Sequence, residues 1–145
     1  MIIQNIFGHS CVSFTLLVTL SGSLSAQPVS IGVLDDVEIT RTDDGYIIES
    51  LFTCPVRYIT HFPHAEGDEI NIRIDPVPLC DPDSTAGSGR GSISPRSETE
   101  NSLYEVVYDG DILGGPFLTL FFKEPVKFRV SQGEDYRSIV VDVHE

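Results

Sequence analysis

Positive charge is scarce in this chain: its 145 residues carry 9 Lys and Arg against 22 Asp and Glu, a formal net charge of −13. A nucleic-acid binder needs a basic surface to displace counterions from phosphates, and this field opposes it. Acidity by itself speaks only for solubility. Helix signals are nearly absent after Ala26, so helical architectures drop out. Motifs that carry chemistry are missing too. No G-x-S-x-G elbow occurs, and Asp43-Asp44-Gly45 is turn chemistry without the spaced ligand series of a calcium loop. Gly87-Ser88-Gly89-Arg90-Gly91 is glycine-rich but has no strand before it, no helix after it and no P-loop Lys-Ser/Thr pair. His61 and His64 straddle Pro63, which breaks any helix that could aim both at one metal, and they read as exposed loop histidines. The carboxylates are numerous, as on any acidic surface, and single out no glycosidase pair. The expectation is a protein without a catalytic residue, a cofactor or a metal.

Residues 1 to 26 contain no Lys or Arg at all. Val12 to Leu20 is mostly apolar and is followed by Ser23-Leu24-Ser25-Ala26, which reads as a signal peptide cleaved after Ala26. The apolar run is shorter than the roughly 20 residues a membrane span needs, so the expectation is export with no span left after cleavage. Gln27 to Glu145 is then enough chain for one domain and too little for two. Of the three cysteines, Cys11 leaves with the signal peptide. In an oxidising compartment Cys54 and Cys80 read as a disulfide, worth about 3 kcal/mol in the chain-entropy model. Two free buried thiols are the alternative, and a zinc site lacks further ligands at the right spacing.

What the chain does have is one pattern written twice. LFTCPVRY from Leu51 answers to FFKEPVKF from Phe121, with Pro55 and Pro125 displaced by 70 positions (125 less 55). Ile70, Ile72 and Ile74 answer to Ile139, Val141 and Val143. A charged turn, Glu66-Gly67-Asp68 or Gly133-Glu134-Asp135, precedes each of these alternating runs. Alternation predicts strands at Ile31–Thr40, Gly45–Cys54, Val56–Phe62 and Glu69–Asp75 in the first copy. In the second copy it predicts Leu103–Asp109, Phe117–Lys123, Val126–Ser131 and Arg137–Val143. The third strand puts Val56, Tyr58, Thr60 and Phe62 on one face. Asp81 to Ser102 is rich in Ser, Gly, Pro and charge and reads as a flexible linker between the repeat halves, 31–75 and 103–143. The expected fold is all-β: a sandwich of two symmetry-related four-stranded antiparallel sheets, one copy in each. A closed barrel is the alternative.

The paired elements CPVRYITHFPHAEGDEINIRID and EPVKFRVSQGEDYRSIVVDV, with the strand GYIIESLF before the first, resemble the AMIN domain. These domains are the N-terminal localisation modules of periplasmic N-acetylmuramoyl-L-alanine amidases and also occur in type IV pilus secretins. The resemblance covers most of residues 31 to 143 and is one of pattern. It implies a β-sandwich in the periplasm and a non-catalytic role: binding peptidoglycan or envelope machinery and placing an attached protein.

Strand parity turns Arg57, Lys127 and Arg129 outward, with Arg57 and Lys127 at equivalent places in the repeat. Such cations suit the stem-peptide carboxylates of peptidoglycan, and outward Phe121 offers a stacking face for sugar. Arg57, Lys127, Arg129 and Phe121 are therefore the candidate ligand-binding residues. The competing account has these charges balance nearby acids such as Glu49 and Asp142. The chain is then a stand-alone secreted structural or protein-interaction sandwich without glycan affinity, engaging its partner at a sheet edge.

Overall fold

Side chains alternate between buried and exposed along most of this sequence, and the strands follow that alternation. The computed structural model describes residues 32–77, 88–95 and 102–144. The expected signal peptide, Cys80 and much of the expected linker lie outside the described residues. Among them every regular element is a strand: β1 (Leu34–Thr42), β2 (Gly45–Phe52), β3 (Val56–Phe62), β4 (Glu66–Pro76), β5 (Arg90–Ile93), β6 (Leu103–Asp109), β7 (Phe117–Gln132) and β8 (Ser138–His144). All neighbours pair antiparallel in one hydrogen-bonded system of eight strands.

The count of eight agrees with the sequence, but two elements differ. The strands expected on either side of Pro125 are one 16-residue strand, β7. Proline cannot donate to a ladder, and here it bends the strand rather than ending it. Gly67 pairs with Val126 and Glu69 with Phe121, so on the β4 side residues 122–125 have only Asp68 opposite them. The missing strand is made up by β5, inside the stretch read as linker. Its four residues, Arg-Gly-Ser-Ile, carry one large apolar side chain, too little for a periodic signal. It is held by pairing with β6 from Arg90↔Asp109 to Ile93↔Val106.

The strand order is that of two intertwined copies. One run of strands is β1-β2-β8 followed by the second part of β7; the other is β5-β6, the first part of β7, then β4-β3. Under the repeat, β1 corresponds to β6, β2 to the first part of β7, β3 to its second part and β4 to β8. Each run therefore takes strands from both copies: β2 pairs β8 from Gly45↔His144 to Leu51↔Ser138, and β4 pairs β7 from Ile70↔Leu120 to Arg73↔Phe117. The expectation of one copy per sheet is corrected here. Its cause lies at the two equivalent prolines, where each copy crosses from one run to the other. The first crossing is strapped to the β7–β8 hairpin by Phe52 N–H to Arg137 O and Val56 N–H to Tyr136 O, both 2.8 Å. The second is strapped to the β3–β4 hairpin by Phe128 N–H to Ala65 O, 2.9 Å.

Both runs feed one core. Ile48, Ile70, Ile72, Val106, Leu118, Leu120, Ile139 and Val141 are fully buried within a single apolar cluster. Each such side chain contributes about 1.5–3 kcal/mol relative to exposure. Phe52 of one run meets Tyr108 of the other edge-on, with ring centroids 6.3 Å apart.

Candidate functional site

The outward side of β7 gathers more of the candidate residues than any other element. Even positions from Leu118 to Phe122, and Phe128, point into the core, so odd positions point out. In order these are Phe117, Thr119, Phe121, then Lys123, Lys127 and Arg129. One side of one strand thus passes from aromatic to cationic. Phe121 is half-buried beside Tyr104, with centroids 6.1 Å apart. Next to it Thr119 Oγ1 donates to Asn71 Oδ1 (2.9 Å), and Asn71 Nδ2 donates to Glu69 Oε1 (2.9 Å).

The cationic part borders a groove of about 710 Å³ at the bend of β7, lined by Lys123, Lys127, Tyr46, Ser102, Glu66 and His144 among others. The Tyr46 and Ser102 hydroxyls lie 3.1 Å apart. Lys123, Lys127 and Arg129 are exposed, and among the described residues none of them forms an ion pair.

Arg57 is elsewhere. It sits on β3, in the run that also holds Phe121 rather than in that of Lys127 and Arg129, and its guanidinium is salt-bridged to Asp75. The four candidate residues therefore divide into three that share a strand side and one that is already matched. The register explains the difference. Arg57↔Asp75 and Lys127↔His144 are equivalent cross-strand pairs, and only the first supplies a carboxylate; Glu66 opposes Lys127 on its other side and Asp142 opposes Arg129, with no ion pair to either among the described residues. His144 leans instead toward Asp142, Nε2 to Oδ2 3.7 Å.

No family model, no curated protein and no solved structure matches this chain.

Two further sites came from features the sequence reading did not use. The expected face Val56, Tyr58, Thr60, Phe62 fails after Tyr58, because a bulge between Tyr58 and Thr60 shifts the register. Phe62 is turned out, 68 % exposed, and His61 is turned in against Phe128 with centroids 5.9 Å apart. His61 is thus a half-buried strand residue rather than a loop histidine: Nδ1 lies 2.6 Å from the Tyr58 hydroxyl and Nε2 3.1 Å from the His64 carbonyl. Burial raises the Tyr58 pKa above that of a free phenol, and the contacts of His61 with Tyr58 and with the His64 carbonyl tie the β3–β4 hairpin together.

The second is the β6–β7 connection. A groove of about 420 Å³ runs from its tip, Ile112 and Leu113, across Phe117 and Phe121 to Asn71 and Arg90. Strand alternation could not mark it, because the tip belongs to no strand. Among the described residues no three His, Cys, Asp or Glu cluster as a metal site, and no helix is long and apolar enough to cross a membrane. Cys54 is half-buried just past β2, while its expected partner Cys80 lies outside the described residues.

Proposed function

We propose that this chain is an exported, non-catalytic recognition module of AMIN type, acting in the periplasm and binding peptidoglycan or envelope machinery along the outward side of β7. The observation that carries the reading is the row Phe121, Lys123, Lys127, Arg129. On a chain of net charge −13, three cations that form no ion pair among the described residues follow an aromatic ring on one strand. Peptidoglycan presents both complements, apolar sugar faces for stacking and stem-peptide carboxylates for charge-assisted hydrogen bonds. A groove beside the row adds concave surface of the size ligand sites have. In this reading the two strand runs are the two layers of a sandwich, supported by the shared core and by the Phe52–Tyr108 contact between them.

The test is co-sedimentation of residues 27–145 with purified sacculi. Binding at low salt should fall with rising salt and weaken markedly in Lys127→Ala plus Arg129→Ala. Arg57→Ala, whose partner is Asp75, should change little. Protein that stays in the supernatant at low salt refutes the glycan reading. A protein-interaction role then takes its place, and the exposed Ile112 and Leu113 are the observation that favours it.

A further inference from the structure

The β6–β7 tip exposes apolar surface by construction. Gly110 N–H bonds to Gly89 O (2.8 Å), Gly115 N–H closes on Ile112 O (3.3 Å), and Gly114 and Gly115 hold φ at 105° and 114°, where other residues are strained. Over Gly115 lies the Arg73 guanidinium, with Nε 3.3 Å from where a β-carbon would sit. The turn so formed leaves Leu113 101 % and Ile112 48 % exposed. A lone exposed leucine is ordinary. This one continues into a groove lined by Val107, Phe117 and Phe121, and such joined apolar surface marks docking sites.

Charge decides what docks. Phe121 has Glu105 and Glu69 as its cross-strand neighbours on either side. Asp109 lines the groove, and Asp111 stands in the same turn, its carboxylate accepting the Gly89 N–H at 3.0 Å. Against these four carboxylates stand three cations, Arg73, Arg90 and Lys123, the last of which follows Phe121 on the same side of β7. A second copy of a chain with net charge −13 is repelled, and so is an anionic lipid surface. We infer that the groove under the Ile112–Leu113 tip docks a cationic, apolar segment of another protein. The inference rests on the reading of the chain as a recognition module and gives it a second face, which shares Phe121 with the row on β7 but not Lys127 or Arg129.

The probe is a fluorescein-labelled peptide alternating Lys and Leu, with a Glu–Leu peptide as its charge-reversed control. Anisotropy is read with residues 27–145 at physiological ionic strength. The Lys–Leu peptide should bind and the Glu–Leu peptide should not. Leu113→Asp should weaken binding by about tenfold or more, although it adds an attractive negative charge, and Ile112→Ser should weaken it in the same direction. Lys127→Ala plus Arg129→Ala should leave it unchanged. The inference is overturned if Leu113→Asp binds the peptide as well or better, since the attraction is then purely electrostatic. It is also overturned if the Glu–Leu peptide binds equally, or if Leu113 mediates binding to phosphatidylglycerol vesicles or self-association. Lost sacculus binding with retained peptide binding refutes only the glycan reading, and the reverse refutes only this one.

Discussion

Intertwining of the copies has a consequence that cutting the chain would expose. Consider two fragments, 32–77 with β1–β4 and 88–144 with β5–β8. Fragment 32–77 loses β8 from beside β2 and β7 from beside β4. Its Ile48, Ile70, Ile72 and Ile74, all at most 1 % exposed in the whole chain, then face water. At about 1.5–3 kcal/mol each, those four alone forfeit about 6–12 kcal/mol, comparable to the roughly 5–15 kcal/mol that holds a domain together. Fragment 88–144 forfeits Leu118, Leu120, Ile139, Val141 and Val143 in the same way. Each fragment alone should therefore lack a cooperative transition and dispersed amide resonances. Mixed at equal concentration they should recover both, because every inter-copy ladder is non-covalent. Mixing titrations by circular dichroism and two-dimensional NMR check this. A cooperatively folded monomer from either fragment alone would refute the intertwined arrangement.

Four other outcomes are expected. Gly133→Ala should destabilise by about 2–3 kcal/mol in urea titrations, because its β-carbon would fall 2.0 Å from Ser138 Oγ and 3.0 Å from Ser138 O. Burial and the charges of Asp111 and Asp109 push the Tyr108 pKa up from 10.0 to about 12. The folded state thus keeps a proton that the unfolded chain releases first, so this contribution is complete below about pH 10 and is lost as pH rises toward about 12. The loss is below the roughly 3 kcal/mol that the full shift would give, because water screens part of the hydroxyl's surroundings, and urea midpoints across that window should fall less steeply in Tyr108→Phe. Cys54 and Cys80 are proposed to be paired, and intact mass before and after reduction should differ by two hydrogens. His144→Asp should give Lys127 the partner that Arg57 already has and lower sacculus binding; unchanged binding, where Lys127→Ala reduces it, would refute the pairing argument.

Strand existence was legible because it depends on local alternation: Ile70, Ile72 and Ile74 are buried as their spacing requires, and so are Ile139, Val141 and Val143. Pairing was not legible, since a repeat states which strands are alike and leaves open which lie together. The bulge in β3 was hidden for a related reason. Ile59 is outward in the phase that Val56 and Tyr58 set, and only the ladder to β4 shows that the phase changes there. Short β5 carries too few apolar residues to be periodic and owes its order to the exposed edge of β6. Among the candidate site residues, parity placed Phe121, Lys127 and Arg129 correctly on the outside. It could not show that Arg57 meets Asp75, because that pairing spans a hairpin whose register the bulge resets.

Duplication of a strand unit suggests duplication of its binding surface, and here the chemistry argues against it. The row Lys123, Lys127, Arg129 in the second copy corresponds to Thr53, Arg57, Ile59 in the first. Of these three, one is neutral and polar, one is neutralised by Asp75, and one is an apolar residue displaced by the bulge. The backbone plan occurs twice, and each copy completes the other's strand runs, a constraint that acts on both equally. Outward positions feel no such constraint. They are free to diverge, and the cations collected on one copy only. Where a fold is symmetric and its surface is not, the asymmetric part is the better guide to recognition, and on this chain it is the outward side of β7.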